Sequence, residues 1–113
     1  MDTLLCLGFD LFFKPRLSQA AQELGVELRH AAPAQALDAA NGAARVIADV
    51  STPGVQEALI AIRAAHPQLP ILACYPHVET ARADAVRAIG GVAIPRGEFT
   101  KRLGEALAGG VRG

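Results

Sequence analysis

Arg45-Val46-Ile47-Ala48-Asp49-Val50 decides the fold of this chain. Successive side chains of a strand point to opposite faces, so a strand with one wet face alternates apolar and polar residues. Here Val46, Ile47, Ala48 and Val50 are apolar on both faces, as expected for a strand at the centre of a parallel sheet covered by helices on either side. Asp49 stands at the carboxyl end of the run, and Ser51-Thr52-Pro53-Gly54 follows as a loop.

Short apolar runs alternate with helical patterns on both sides of that strand. A helix from Val55 to about Ala65 follows, with Leu59 and Ile62 on its buried side; Pro67 and Pro70 bracket the turn into a fourth strand, Pro70 to Tyr75. Thr80 is placed to cap a helix running to Ile89, Gly90-Gly91 ends it, and Val92-Ala93-Ile94 is a short fifth strand. The last helix, Glu98 to Leu107, carries Phe99, Leu103 and Leu107 one turn apart. Toward the N-terminus, Thr3 to Phe9 reads as the first strand. The helix after it, from about Phe13 to Leu24, keeps Leu17, Ala20, Ala21 and Leu24 on one face, tolerates Pro15 in its first turn and stops at Gly25. Val26 to His30 is the second strand, with Val26 and Leu28 inward, and Pro33 opens a short helix to about Ala40 that Asn41-Gly42 closes. Connections of this length make right-handed βαβ crossovers. Residues 1–108 read as one domain and Gly109 to Gly113 as a flexible tail.

The totals narrow the function. Of the 113 residues, 51% are apolar, enough for one buried core. Eleven basic and eleven acidic residues cancel, no basic stripe is visible, and nucleic-acid binding has no electrostatic support. No apolar run approaches the roughly 18 residues that span a bilayer, and the N-terminus has no secretory pattern; a soluble, cytoplasmic protein is expected. Cys6 and Cys74 lie inside apolar runs and read as buried thiols, two strands apart and beyond disulfide reach.

Five βα units in 113 residues match the flavodoxin-like doubly wound α/β architecture: a five-stranded parallel sheet in the order 2-1-3-4-5 with helices on both faces. Local features resemble the receiver domain of response regulators over nearly the whole chain. Val46-Ile47-Ala48-Asp49 with Pro53-Gly54 four residues on looks like the phosphoacceptor strand; Leu69-Pro70-Ile71-Leu72-Ala73 resembles the fourth strand; Ala88-Ile89-Gly90, a short strand and then Arg96 resemble the approach to the family's lysine; Gln22-Glu23-Leu24-Gly25 matches the usual end of the first helix. The resemblance implies Asp49 as the phosphoacceptor position. It also implies an acidic Mg²⁺-holding pair at the end of the first strand, where this chain has Gly8 and Phe9, with Asp10 one residue further on. Tyr75 replaces the family's Thr or Ser, and Pro95 or Arg96 replaces its lysine. No metal site and no cofactor are expected.

The crevice at the carboxyl ends of the strands is expected to hold Asp10, Asp49, Ser51, Tyr75, His77 and Arg96. Arg96 is suited to grip Asp49 through a two-pronged contact; alternatively, Asp49 merely caps the loop after it. His77 is either a pH-responsive group or an ordinary exposed loop residue. Phe9, Phe12 and Phe13 crowd the place of the missing carboxylates, with Phe12 either core or interaction surface. The reading favoured is a stand-alone pseudo-receiver, since the chain ends after the fifth helix. It signals by contact with another signalling protein or as a homodimer through the fourth helix, fifth strand and fifth helix, where Ala81, Ala85 and Ala88 keep the fourth helix smooth. The alternative is a working phosphoreceiver of a two-component system using Asp10 and Asp49 with an atypical metal site. An enzyme built on Asp49, Ser51 and His77 is the third reading, and no G-x-S-x-G elbow, glycine-rich phosphate loop or H-E-x-x-H pattern supports it.

Overall fold

In the computed structural model, which describes residues 1–111, strands and helices alternate along the chain. They are β1 (Thr3–Leu7), α1 (Lys14–Leu24), β2 (Glu27–Ala31), a 3₁₀ turn (Pro33–Gln35) leading into α2 (Ala36–Ala39), β3 (Arg45–Asp49), α3 (Val55–Ala65), β4 (Ile71–Tyr75), α4 (Thr80–Ala88), β5 (Val92–Pro95), α5 (Arg96–Lys101) and α6 (Leu103–Ala108). All five strands are parallel, in the order β2-β1-β3-β4-β5. The apolar run 46–50 therefore sits in the middle of the sheet, fully buried.

The two faces of the sheet carry separate cores. Leu5, Leu7, Val46, Ala48, Ile71 and Ala73 pack against α2, α3 and α4 through Ala36, Leu59, Ile62, Ala83 and Val86. The alternate residues Leu4, Cys6, Ile47, Leu72, Cys74 and Ile94 pack against α1, α5 and α6 through Leu17, Ala21, Phe99, Ala106 and Leu107. Each large side chain buried this way contributes about 1.5–3 kcal/mol.

Arginines fasten the connections to these layers. Arg63 donates to four backbone carbonyls, those of Ile89, His66, Pro67 and Leu69, at 2.6–3.1 Å, and so ties the α3–β4 loop to the end of α4. Arg29 closes the end of α2 through Ala39 O and Asn41 O, and Arg45 reaches Leu107 O in the last turn of α6. Carbonyls at helix ends lack intrahelical partners, so cations placed there satisfy them.

Several boundaries differ from the sequence reading. β1 ends at Leu7 rather than Phe9, because Gly8 adopts φ +87° and turns the chain out of the strand. Leu24 is 40% exposed rather than buried: the turn at Gly25 brings Val26 back beneath α1, its N–H bonded to Ala21 O, and Val26 packs where Leu24 was expected. Thr80 begins α4 without capping it; Glu79 precedes it and spends its carboxylate on Arg82. The last helix breaks at Arg102 (φ −114°, ψ 33°), whose guanidinium clasps Glu98 and Glu105 on either side of the break. Of the expected tail, Gly109 takes a left-handed cap, Gly110 N–H bonds Glu105 O and Val111 is buried in the α1/α6 core, so the chain is held at least that far. Arg112 and Gly113 lie outside the described residues.

Candidate functional site

The sheet register sets which side chains meet at its carboxyl edge. Asp49 lies beside Cys74, and Cys74 beside Ile94, so all three face α1, α5 and α6. Arg96, two residues past Ile94, returns to that same side as the first residue of α5. Its guanidinium Nη2 forms an ion pair with Asp49 Oδ2. The Asp49 side chain is 0% exposed, while that of Arg96 remains 52% exposed.

The other carboxylate oxygen is committed as well. Asp49 Oδ1 accepts the Ser51 N–H at 3.0 Å and the Ser51 hydroxyl at 2.6 Å. The first is the turn that Asp side chains commonly make with the backbone two residues on. The loop-capping role and the contact with Arg96 thus occur in one side chain, one oxygen each. Beyond the guanidinium, no donor among the described residues reaches Oδ2.

The resemblance to receiver domains implies a divalent cation here, and the residues present do not fit one. A Cβ at Gly8 would stand 2.7 Å from the Asp49 carbonyl oxygen, 3.0 Å from Val55 Cγ2 and 3.1 Å from Thr52 Cβ, and the residue has positive φ. No side chain enters at that position without moving the β3–α3 loop, which is pinned by the Thr52 hydroxyl donating to Gly8 O at 2.8 Å. Phe9 turns into the core, stacked on Phe13 and Phe99 at 5.5 and 5.7 Å between ring centroids. Asp10 bends back over α1, where Oδ1 accepts the Phe13 N–H at 2.8 Å. Among the described residues no three carboxylates, histidines or cysteines cluster. Hard divalent cations take several oxygen ligands, and Asp49 with its oxygens occupied is a poor start.

Of the six expected crevice residues, Asp49, Ser51 and Arg96 come together and the others do not. Tyr75 follows Cys74 in β4 and so points to the opposite face, into the α3/α4 core. His77 is exposed in the turn before α4, outside the Asp49 cluster. Asp10 lines the rim but serves the start of α1. Asp49 is fully buried rather than open to the crevice. Three participants carried no signal in the sequence: Thr52, whose hydroxyl bonds Gly8 O; Arg82, which donates to Val50 O at 2.8 Å; and Phe99, which read only as a helix core residue. Cys6 and Cys74 are free, and burial pushes both thiols up to about 12, leaving them protonated.

The architecture is that of response-regulator receiver domains. The chemotaxis response regulator CheY4 of Vibrio cholerae superposes with a TM-score of 0.79 at 22% identity, covering 98% of this chain and 99% of that one. A response-regulator receiver domain protein from Clostridium thermocellum gives 0.82 at 15% identity over 97% and 94%, and a receiver protein from Sinorhizobium medicae gives 0.78 at 14% over 96% and 92%. No protein-family model and no curated protein matches the sequence. Among the described residues, no helix is long and apolar enough to cross a membrane.

Proposed function

We propose that the chain is a pseudo-receiver, a signalling module that works by contact with another protein or a second copy of itself and takes up no phosphoryl group at Asp49. The observation that carries this reading is the closed shell around the carboxylate: Ser51 holds Oδ1 twice, Arg96 holds Oδ2, and none of it is exposed. A phosphoacceptor needs an oxygen free for in-line attack, and phosphoryl transfer rests almost wholly on positioning and on charge neutralising the equatorial oxygens. Gly8, Phe9 and the diverted Asp10 provide neither. Arg96 instead links the carboxyl end of β3 to the start of α5, so the surface made by α4, β5 and α5 has a fixed internal support. That surface is the contact face we assign. Ala81 and Ala88 are exposed on α4, which gives it the low relief that close approach requires. The unpaired thiols suit a reducing cytoplasm. Most arginines are spent on carbonyls or carboxylates, which leaves no cationic stripe for nucleic acid.

The test is incubation with a small phosphodonor and Mg²⁺ followed by intact mass. An unchanged mass is expected. A stoichiometric phosphoryl gain that disappears in Asp49→Asn would overturn the proposal in favour of a working phosphoreceiver. Sedimentation showing a monomer at high concentration would remove the homodimer form of the contact and leave the partner form.

A further inference from the structure

Asn41 is the chain's only asparagine, and a glycine follows it. The pair forms the tip of the turn between α2 and β3, both residues exposed, with Gly42 at φ +79°. The stem on either side is fixed: Ala40 is buried, the Ala43 N–H bonds Ala40 O at 3.1 Å, and the Ala44 N–H bonds Thr3 O at 2.8 Å. The tip itself is left free. Among the described residues the Gly42 N–H reaches no acceptor, and the Asn41 side-chain amide makes no hydrogen bond.

Those two free groups can react with each other. A bond from the Gly42 nitrogen to Asn41 Cγ closes a five-membered ring, and the shared backbone replaces a collision between two molecules. Glycine has no Cβ to shield its nitrogen, and a Cβ built at position 42 would meet nothing within 4 Å, so no other part of the chain crowds it. The nitrogen attacks only after losing its proton, when negative charge spreads onto the Asn41 carbonyl oxygen. Arg29, from β2, donates to that oxygen at 3.0 Å, and its second bond, to Ala39 O at 2.6 Å, fixes the guanidinium in place. A preset cationic donor where charge develops lowers the cost of forming it.

We propose that Asn41 is a self-modification site, at which the Gly42 nitrogen attacks Asn41 Cγ and Arg29 promotes the attack as a positioning residue on the Asn41 carbonyl. The Gly42 proton passes to hydroxide. The N–Cγ bond forms, the Cγ–Nδ2 bond breaks, and Nδ2 leaves as ammonia with a proton from water. A second water opens the cyclic imide, its hydroxyl adding to one ring carbonyl and its hydrogen going to the ring nitrogen. Opening at Cγ gives aspartate; opening at the backbone carbonyl gives isoaspartate, with one extra carbon in the main chain of the turn. Either product sets a carboxylate beside Arg29, where it competes with Ala39 O for the guanidinium and loosens the end of α2. The turn lies at the amino end of β3 and Asp49 at its carboxyl end, so the inference is independent of the proposed function.

The full chain is held for days in mildly alkaline buffer made with oxygen-18 water, then read by intact mass and peptide mapping. The expected result is an amide-to-acid mass gain carrying the heavy oxygen, confined to Asn41 and split between aspartate and isoaspartate. Asn41→Gln, whose longer side chain closes only a six-membered ring, stays unchanged over the same period. Native Arg29→Met, its fold checked by circular dichroism, is expected to react at least about threefold more slowly than the parent, and at the parent's rate in denaturant, where the turn is gone. If Arg29→Met does not fold, Arg29→Gln, which keeps a neutral donor, carries the same comparison. An unchanged native protein over a period in which the denatured chain reacts would show that the turn shields Asn41, and overturns the proposal. Equal native rates with and without the guanidinium overturn it too, because the reaction then follows from the Asn-Gly sequence alone. A phosphoryl gain at Asp49 changes neither outcome.

Discussion

Arg96→Ala removes the only donor that reaches Asp49 Oδ2 among the described residues and leaves the rest of the site in place. Stripping one partner from a fully buried ion pair costs about 3–5 kcal/mol, because the remaining charge is stranded. Two features of this pair lower that figure. Arg96 is half exposed, so its removal opens a path for water to Oδ2, and Ser51 continues to hold Oδ1 through two hydrogen bonds. What remains is the desolvation of a partly solvated charged oxygen, about 1–3 kcal/mol. Asp49→Asn in the Arg96→Ala background removes the stranded charge and recovers part of the loss, so the double-mutant cycle yields a coupling of about 1 kcal/mol or more. Urea unfolding monitored by circular dichroism reads this directly. With a slope of about 1–3 kcal/mol per molar, the Arg96→Ala midpoint falls by roughly 1 M while the slope is unchanged. Two additive single mutants, or an Arg96→Ala protein as stable as the parent, would show that the guanidinium does not support the carboxylate.

Further outcomes follow from other parts of the fold. Gly8→Ala is expected to destabilise by about 2–4 kcal/mol, combining a left-handed backbone term of about 1–2 with overpacking against the Asp49 carbonyl, whereas Gly25→Ala, which meets open space at similar φ, loses only the backbone part; thermal melts of the two variants separate the contributions. Arg63→Met leaves four carbonyls without their shared donor and is expected to cost about 2–4 kcal/mol, with hydrogen exchange accelerating first in the 66–70 loop and at the end of α4. Burial, and secondarily Lys14, lowers the His30 imidazole below its ordinary 6.5. The unfolded chain therefore binds that proton more readily, and stability is full above about 6.5 and is lost as pH falls below it through the lowered folded value; His30→Gln flattens this part of a stability–pH profile. Neither thiol is expected to react with a thiol reagent in the native protein at mildly alkaline pH, and both react in denaturant.

The sheet was legible because its signal is redundant. The two-faced apolar run at 46–50, the glycine stops at Gly25 and Gly90, and five apolar runs separated by helical spacing all point to one topology. Within the site, strand parity carried the information. Asp49 and Arg96 were recoverable because both sit at strand ends on the same face. Tyr75 was misplaced because that same parity, applied one residue after Cys74, sends it to the other side. Asp10 and His77 were assigned by proximity in sequence, and loop geometry moved them away. The Gly25 turn that exposed Leu24 and the Arg102 break in the last helix depend on tertiary contacts that have no period. The aromatic stack was half visible: Phe9, Phe12 and Phe13 announced themselves as a cluster, but Phe99 joins them only through the packing of α5 over the sheet.

Closure of the Asp49 carboxylate by Ser51 and Arg96 underlies the proposed function. Its most direct test is a nitrogen-15 NMR titration of the intact protein with Mg²⁺ and a phosphoryl mimic, following the Ser51 amide and the Arg96 Nε–H. Both resonances are expected to stay in place through millimolar additions, and Arg96→Ala to free the Ser51 signal to move. Saturable shifts of Ser51 and Arg96 in the unmodified protein would mean that the pair opens to admit metal and phosphoryl group, and would contradict that closure.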